Sequence, residues 1–396
     1  MKHHHDLYEK NKAIFDMKKY WLNPQITTFS SEIKEINGTL IRLNENYFYP
    51  EGGGQPPDHG VISTETTKSS VIDVQEIDNE VWLKLNKNEF QPNEIISAKI
   101  DKSRRINLSR NHTSQHLISA IFMEDFEYDT VKATIDLKSS EIEFDKKLNW
   151  DILEKGINKV NSHILQSHPI NSKFFHKENI SDLKLRGSIS DLHSIYRIVE
   201  IKDVDLNPCG GTHVENTSEI QIVAVRKLEN NKLKFISGHD AEAYLTKQTK
   251  LIYKISNLIK TSPKSIFQEL ERIYTNNINM KKELLKNKHD ILNLQLRNTV
   301  SKNIQNFTLI YSFVNKIERS IILSYYGEIN FDKIIIIEDQ NSTFFVLTGS
   351  QNLTSDLSKY LKNIGLKGGG QGNFIMGNNP TKFKLIDLIE TYLSSS

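Results

Sequence analysis

Residues 48–60 read FYPEGGGQPPDHG, three consecutive glycines set between prolines at 50, 56 and 57. Such a run does not suit a helix or a central strand, because proline removes a backbone donor and glycine has no side chain to pack. It reads as an elaborate turn whose glycines are free to take positive φ and to let another backbone come close. Short apolar segments flank it at 39–43, 71–74 and 81–85. In the last, Val81-Trp82-Leu83-Lys84-Leu85 alternates with period two. Short strands broken by such turns predict a glycine-rich β-barrel over residues 17–100.

Working outward, the pattern changes near residue 101. Residues 109–122 suit a helix, Ile142 and Phe144 alternate as in a strand, and 150–166 carries Ile152, Leu153, Ile157, Val160, Ile164 and Leu165 on helical spacing. Strand-like runs follow at 196–201 and 220–225. These make an α+β domain over 101–239. Residues 240–304 hold a single proline, Pro263, and no glycine. They predict two helices, 240–260 and 263–304, the second started by Ser262 before Pro263. Ile266, Leu270, Ile273, Asn277, Met280, Leu284, Asn287, Ile291, Leu294 and Asn298 recur at alternating intervals of four and three, a coiled-coil seam. Residues 305–396 return to α/β, with strands at 308–313, 333–337 and 343–348 and helices at 353–364 and 381–393. A glycine-rich loop at 365–372 lies between those helices. The expected fold is thus an α+β multidomain chain: barrel, α+β domain, helical arm and C-terminal α/β domain.

The 396 residues suggest two to four domains at about 100–200 residues each. Fifty-one basic and 49 acidic residues leave a net charge of +2, which excludes a polyacidic tail and a uniformly basic coat. The excess is local: 240–304 carries 12 basic and 6 acidic residues, leaving −4 for the rest. Either a solvated coiled-coil exterior or an RNA-contacting arm accounts for it. The one cysteine, Cys209, forbids an internal disulfide and points to a reducing, cytoplasmic setting. The most apolar run, 334–337, is far shorter than the roughly 20 residues of a spanning helix. Residues 1–16 begin MKHHH and have no apolar h-region, so they read as a tag or natural extension ahead of Met17, not a secretory signal.

Two pairs carry the chemistry. His112 and His116 stand four apart and face one way on a helix. Cys209 and His213 stand four apart in PCGGTH. Together they make a Cys-His3 set suited to one tetrahedral zinc. Taken singly, each residue has another reading: core histidines, a small buried cysteine, or a lone cysteine nucleophile. The pairing of the only cysteine with a histidine at chelating distance favours the metal. His59, His163, His168, His176, His193, His239 and His289 lack such partners and read as structural or surface residues. The backbone amides of Gly210, Gly211 and Thr212 suit an oxyanion hole. The sequence names no general base.

The runs FYPEGGGQPPDHG, NHTSQHLISA and NPCGGTHVENTSEI occur in one order and spacing. In that combination the chain resembles the alanyl-tRNA editing protein family, AlaX, which is related to the editing half of alanyl-tRNA synthetase. The motifs cover residues 17–240. The length and tail are similar to the long form, with a helical arm and a DHH-associated C-terminal domain. The resemblance implies one zinc on His112, His116, Cys209 and His213. It implies ATP-independent hydrolysis of the ester joining serine or glycine to alanine tRNA. It implies tRNA contacts at Gly52, Gly53, Gly54 and Gln55, and at Lys367, Gly368, Gly369 and Gly370. Thr130 falls where the family keeps a hydroxyl that favours serine. The tail motif GLKGGGQGNFIMG departs from the family: Gln371 and Asn373 stand where a cation is expected, and Lys367 is the nearest one. A homodimer through arm and tail is the expected assembly. A non-catalytic, zinc-dependent tRNA-binding module is the rival reading.

Overall fold

The computed structural model describes residues 18–181, 183–188, 195–296, 299–326, 330–381 and 383–395. The extension 1–16, Met17, His193 and Asn298 lie outside them. The chain divides into two compact units, Met1–Lys254 and Ile255–Ser396.

In the first unit, α1 (Lys19–Leu22) precedes six antiparallel strands: β1 (Thr28–Asn37), β2 (Leu40–Leu43), β3 (Gly60–Ser63), β4 (Lys68–Ile77), β5 (Glu80–Leu85) and β6 (Ile95–Ile100). They close as β1-β2-β5-β4-β3-β6, which removes both sheet edges. Alternation decides which side chains face inward. Val81, Leu83 and Leu85 of β5 and Ile96, Ala98 and Ile100 of β6 fill the barrel, and the residues between them point outward.

Helix α2 (Lys102–Phe126) starts earlier than the apolar spacing predicts, because the Asp101 side chain accepts from the Arg104 amide and caps it. Next come β7 (Thr130–Thr134), β8 (Ser140–Phe144), α3 (Trp150–Gln166), β9 (Ile170–His176), β10 (Ile195–Ile201), β11 (Asp205–Pro208), β12 (Val223–Glu229), β13 (Lys232–Ser237) and α4 (Gly238–Leu258). Helices α2 and α3 share a core with the sheet β12-β13-β8-β7, built on Leu117, Ile121, Phe122, Val160, Phe144 and Phe235. A second sheet runs β11-β10-β9. The strand expected at 220–225 begins only at Val223. Before it, Thr217–Ile220 forms a 3₁₀ turn, started by the Asn216 side chain accepting from the Ser218 amide. Helix α2 also buries Asn111, His112, Thr113, Ser114, Gln115, His116 and Ser119. A helix that buries so many polar groups must supply each with a partner, and that requirement builds the site.

The second unit holds α5 (Ile266–Gln295), β14 (Val300–Ile304), β15 (Phe307–Val314), α6 (Arg319–Tyr326), β16 (Lys333–Asp339), β17 (Thr343–Thr348), α7 (Gln351–Asn363), β18 (Lys367–Gln371), β19 (Phe374–Asn378) and α8 (Leu385–Ser395). The helix expected to reach residue 304 ends at Gln295. Residues 300–304 pair antiparallel with β15 instead, as β-branched Val300 and Ile304 suit a ladder better than a helix end. Leu270, Ile273, Met280, Leu284, Ile291 and Leu294, on the predicted seam, are 40–61% exposed. The six strands run β14-β15-β16-β17-β19-β18, with only β15 and β16 parallel. Residues 334–337 lie at the centre of this sheet. Ile334 and Ile336 join the core under α7 and α8, while Ile335 and Ile337 join the core containing Ile321, Ile322 and Leu292. A strand buried on both faces explains the unbroken apolar run. The run expected as a glycine-rich loop contains a strand: β18 forms a hairpin with β19 at the edge of the sheet. Among the described residues, no helix is long and apolar enough to cross a membrane.

Candidate metal centre

The first unit brings His112 and His116, one turn apart on α2, against Cys209 and His213 from the loop after β11. Their ligand atoms all lie within 4.8 Å of one another. Cys209 Sγ is 3.4 Å from His112 Nε2 and 3.2 Å from His213 Nε2. Sulfur and nitrogen on one tetrahedral zinc stand about 3.6 Å apart, given bonds of about 2.3 and 2.05 Å. His112 and His116 are 2% exposed and His213 is 8%, so the cluster is an interior one.

The protons on the imidazoles follow from their neighbours. Gln55 Oε1 accepts from the Thr212 backbone N–H at 3.1 Å, which orients the amide. The same oxygen, 2.7 Å from His112 Nδ1, therefore needs a proton on that nitrogen. His116 Nδ1 lies 2.9 Å from the Asp205 carboxylate and donates to it. Thr113 Oγ1 donates its proton to the Ser109 carbonyl at 2.8 Å, so it must accept from His213 Nδ1 at 3.2 Å. Each ring thus carries its proton on Nδ1 and presents the lone pair of Nε2. That is the tautomer a metal needs, held by a partner on the opposite nitrogen. Asp205 is itself held by Arg186, whose Nε donates at 2.7 Å.

The charges agree. Burial pushes the Cys209 thiol up, but His112, His213 and His116 outweigh burial and hold it well below its usual value. Burial also pulls His116 down, yet Cys209 and the hydrogen bond to Asp205 lift it to about 9. Burial dominates at His213 and takes it down to about 3. These directions favour the Cys209 thiolate, the form in which it can ligate a divalent cation. The residues present fit a zinc ion. Among the described residues they form the one group of three or more such side chains close enough to share an ion.

Three carbonyls anchor the Cys209 loop. Arg197 Nη1 donates to those of Cys209 (3.0 Å) and Gly211 (2.8 Å), and Trp21 Nε1 donates to that of Gly210 (2.6 Å). Gly211 has no substitute, since a Cβ there would stand 2.0 Å from His112 Cε1. Two of the three amides expected to face a substrate carbonyl are already committed. That of Gly211 donates to Cys209 Sγ at 3.3 Å and that of Thr212 to Gln55. Thr130 Oγ1 donates to Ser119 Oγ at 2.7 Å, which sets Thr130 against α2 one turn beyond His116.

Gly53 and Gly54 form the tight turn between Gly52 and Gln55, both with positive φ. The Gly54 carbonyl accepts from the Ile135 amide at 2.8 Å. Gln55, expected at the tRNA, is 1% exposed and turned inward to His112 and Thr212. Lys367, Gly368, Gly369 and Gly370 lie in the second unit on β18, all exposed. Among the other histidines, His163 Nδ1 faces His168 Nε2 at 3.1 Å, and His289 Nε2 lies 2.6 Å from Ser324 Oγ. Asp205, Arg186 and Thr113, which hold the ligands, escape a reading of the sequence. Only the DVDLNPCGG run, which puts an acid four residues before Cys209, hints at one of them.

Comparison with known proteins finds similarity along the sequence. Residues 3–104 match the family of class II (A) tRNA synthetases, and residues 196–234 match the second additional domain of threonyl and alanyl tRNA synthetases. The chain is 25% identical over 383 residues to the alanyl-tRNA editing protein AlaX-L of Pyrococcus horikoshii, covering 92% of this chain and 94% of that protein. It is 28% identical over 345 residues to the alanine–tRNA ligase of Picrophilus torridus, covering 84% of this chain but 38% of the ligase. The chain therefore spans well under half of that ligase. Among solved structures, the C-Ala domain of Aquifex aeolicus alanyl-tRNA synthetase matches 24% of this chain and 98% of its own, with 19% identity and a TM-score of 0.20. The similarity to the alanyl-tRNA editing protein AlaX-L thus extends along nearly the whole chain, well beyond the three motifs.

Proposed function

We propose that the protein is a trans-editing hydrolase that removes serine or glycine from mischarged alanine tRNA at a zinc site. The observation that carries this reading is the buried Cys-His3 cluster with all three Nε2 lone pairs directed inward, in a chain similar over 92% of its length to an alanyl-tRNA editing protein. Bound zinc would supply Lewis acidity toward the ester carbonyl or an anchor for the substrate. The chain's own residues do the rest. His112, His116, Cys209 and His213 hold the ion. The amide of Gly210, uncommitted within its loop, is the donor left for the carbonyl oxygen. Thr130 meets the serine hydroxyl, in the direction where a pocket discriminates best, since a site built to bond a hydroxyl rejects the analogue that lacks it.

The remaining parts fit the same reading. The chain comprises an extension (1–16), a barrel (17–100), an editing domain (101–239), a helical arm (240–304) and a DHH-associated-like domain (305–396). Gly52–Gly54 and the exposed β18 strand offer surfaces for the tRNA, and the chain works in the cytoplasm. The exposed stripe of α5 pairs two copies as a coiled coil. Sedimentation at micromolar protein is expected to return a dimer, and a monomer would remove this part of the reading.

The decisive test is deacylation of serine-charged alanine tRNA by the parent and by Cys209→Ala, with correctly charged Ala-tRNA as control. The parent is expected to release serine and spare alanine, and the variant to release neither amino acid. A rival reading, a zinc-dependent tRNA-binding module without catalysis, draws on the complete four-ligand set, which is the rule in structural zinc sites. Tight tRNA binding by zinc-loaded parent without serine release would select the rival.

A further inference from the structure

We propose that Gln55 is the positioning residue that ties the two ligand pairs of the metal centre together, so that the glycine-rich loop of the barrel is a working part of that centre. The inference rests on the metal-centre reading but on no assignment of substrate.

A buried primary amide must be satisfied, and Gln55 is 1% exposed. Its Oε1 receives His112 Nδ1 at 2.7 Å and the Thr212 amide at 3.1 Å, and its Nε2 donates to Thr212 Oγ1 at 2.9 Å. Thr212 Oγ1 in turn lies 2.7 Å from Ser109 Oγ on α2. One side chain thus grips a ligand on the helix and the residue next to a ligand on the loop. Asp205 and Thr113 each orient one imidazole. Thr113 does so from α2 itself, whereas Gln55 comes from the barrel and bonds a ligand on the helix and the backbone beside a ligand on the loop.

The loop that carries it is pinned at both ends. On one side, Gly53 and Gly54 turn the chain with positive φ, and Gly54 bonds Ile135. On the other, the carboxylate of Asp58 pairs with the guanidinium of Arg105, at 0% and 3% side-chain exposure. Arg105 and His112 stand seven residues apart on α2, two turns along one face. Asp58 and Gln55 therefore dock side by side on that face, one on an ion pair and the other on a ligand. A proton-accepting partner on the far nitrogen fixes both the tautomer and the ring orientation, and losing it typically costs about 10–100-fold in metal affinity.

The test is metal retention rather than turnover. Parent, Gln55→Leu and Gln55→Glu are loaded with zinc and titrated against a competing chelator. The cobalt-substituted proteins are read by their thiolate-to-metal absorption, and thermal unfolding is measured without metal. Gln55→Glu keeps an acceptor for His112 and the Thr212 amide, and Thr212 can rotate its hydroxyl to donate to the new carboxylate. It is expected to bind within a few-fold of the parent. Gln55→Leu is expected to lose about 10–100-fold in affinity and to show an altered cobalt spectrum. Equal retention and identical spectra for Leu and parent would overturn the proposal. So would equal weakening of Leu and Glu in step with a loss of metal-free stability, since that is a packing effect. A parent that takes up no metal would overturn the metal-centre reading itself, a failure distinct from the other two.

Discussion

The string Gly-Gly-Gly-Gln occurs twice in this chain, at 52–55 and at 368–371, and the two copies fold differently. In the barrel it is a tight turn, with Gly53 at φ +58° and Gly54 at φ +76°, and its glutamine is buried against His112. In the second unit it is an edge strand, paired residue by residue with β19, and its glutamine is exposed. The difference lies in the flanks. Pro50, Pro56 and Pro57 deny the first copy a ladder, and Asp58 draws it onto α2 through Arg105. The second copy is followed by Gly372 at φ +63°, which turns the chain into the apolar strand β19, whose Ile375 joins the core. Glycine runs permit many conformations, and their neighbours select one.

The contrast can be broken most severely at Asp58. Asp58→Ala would leave the Arg105 guanidinium buried without its carboxylate, which costs about 3–5 kcal/mol for such pairs. Equilibrium denaturation should show the loss. A change under 1 kcal/mol would mean that the first copy does not depend on this anchor. The smaller effect comes from a matched pair of alanines. At Gly54 a Cβ would have positive φ and stand 2.8 Å from the Ala133 carbonyl oxygen. Gly54→Ala should therefore destabilise by about 1–3 kcal/mol. At Gly369 the nearest atom to a Cβ is Lys362 Nζ at 4.0 Å. Gly369→Ala should be neutral or stabilise by up to about 1 kcal/mol, because it restricts the unfolded chain. Thermal unfolding of the two variants checks both signs, and similar losses at both positions would erase the distinction.

Much of the layout was legible in advance. Period-two alternation at 81–85 marked a barrel strand, and helical spacing from Ile152 to Ile164 marked α3, because each pattern reports one buried face. The end of α5 was not legible. Its four-three spacing continues nominally past Gln295, but Val300–Ile304 find their backbone partners in β15, a contact only the folded unit supplies. The four candidate ligands were legible because each pair is local: a turn of helix or a short loop puts both members within reach of one ion. Their supporting residues were not. Gln55, Asp205 and Thr113 resemble any other polar residues in the sequence, and Gln55 lies 57 positions from the histidine it orients.

The sequence by itself thus determined the secondary-structure periodicities and the two chelating pairs, because both follow from spacing along one segment. Only the tertiary structure decided that those pairs meet, that each imidazole keeps its proton on Nδ1, and that one Gly-Gly-Gly-Gln turns its glutamine onto His112 while the other edges a sheet. Hydrogen bonds and close packing between distant segments make those choices, and their strength depends on burial that no local window contains.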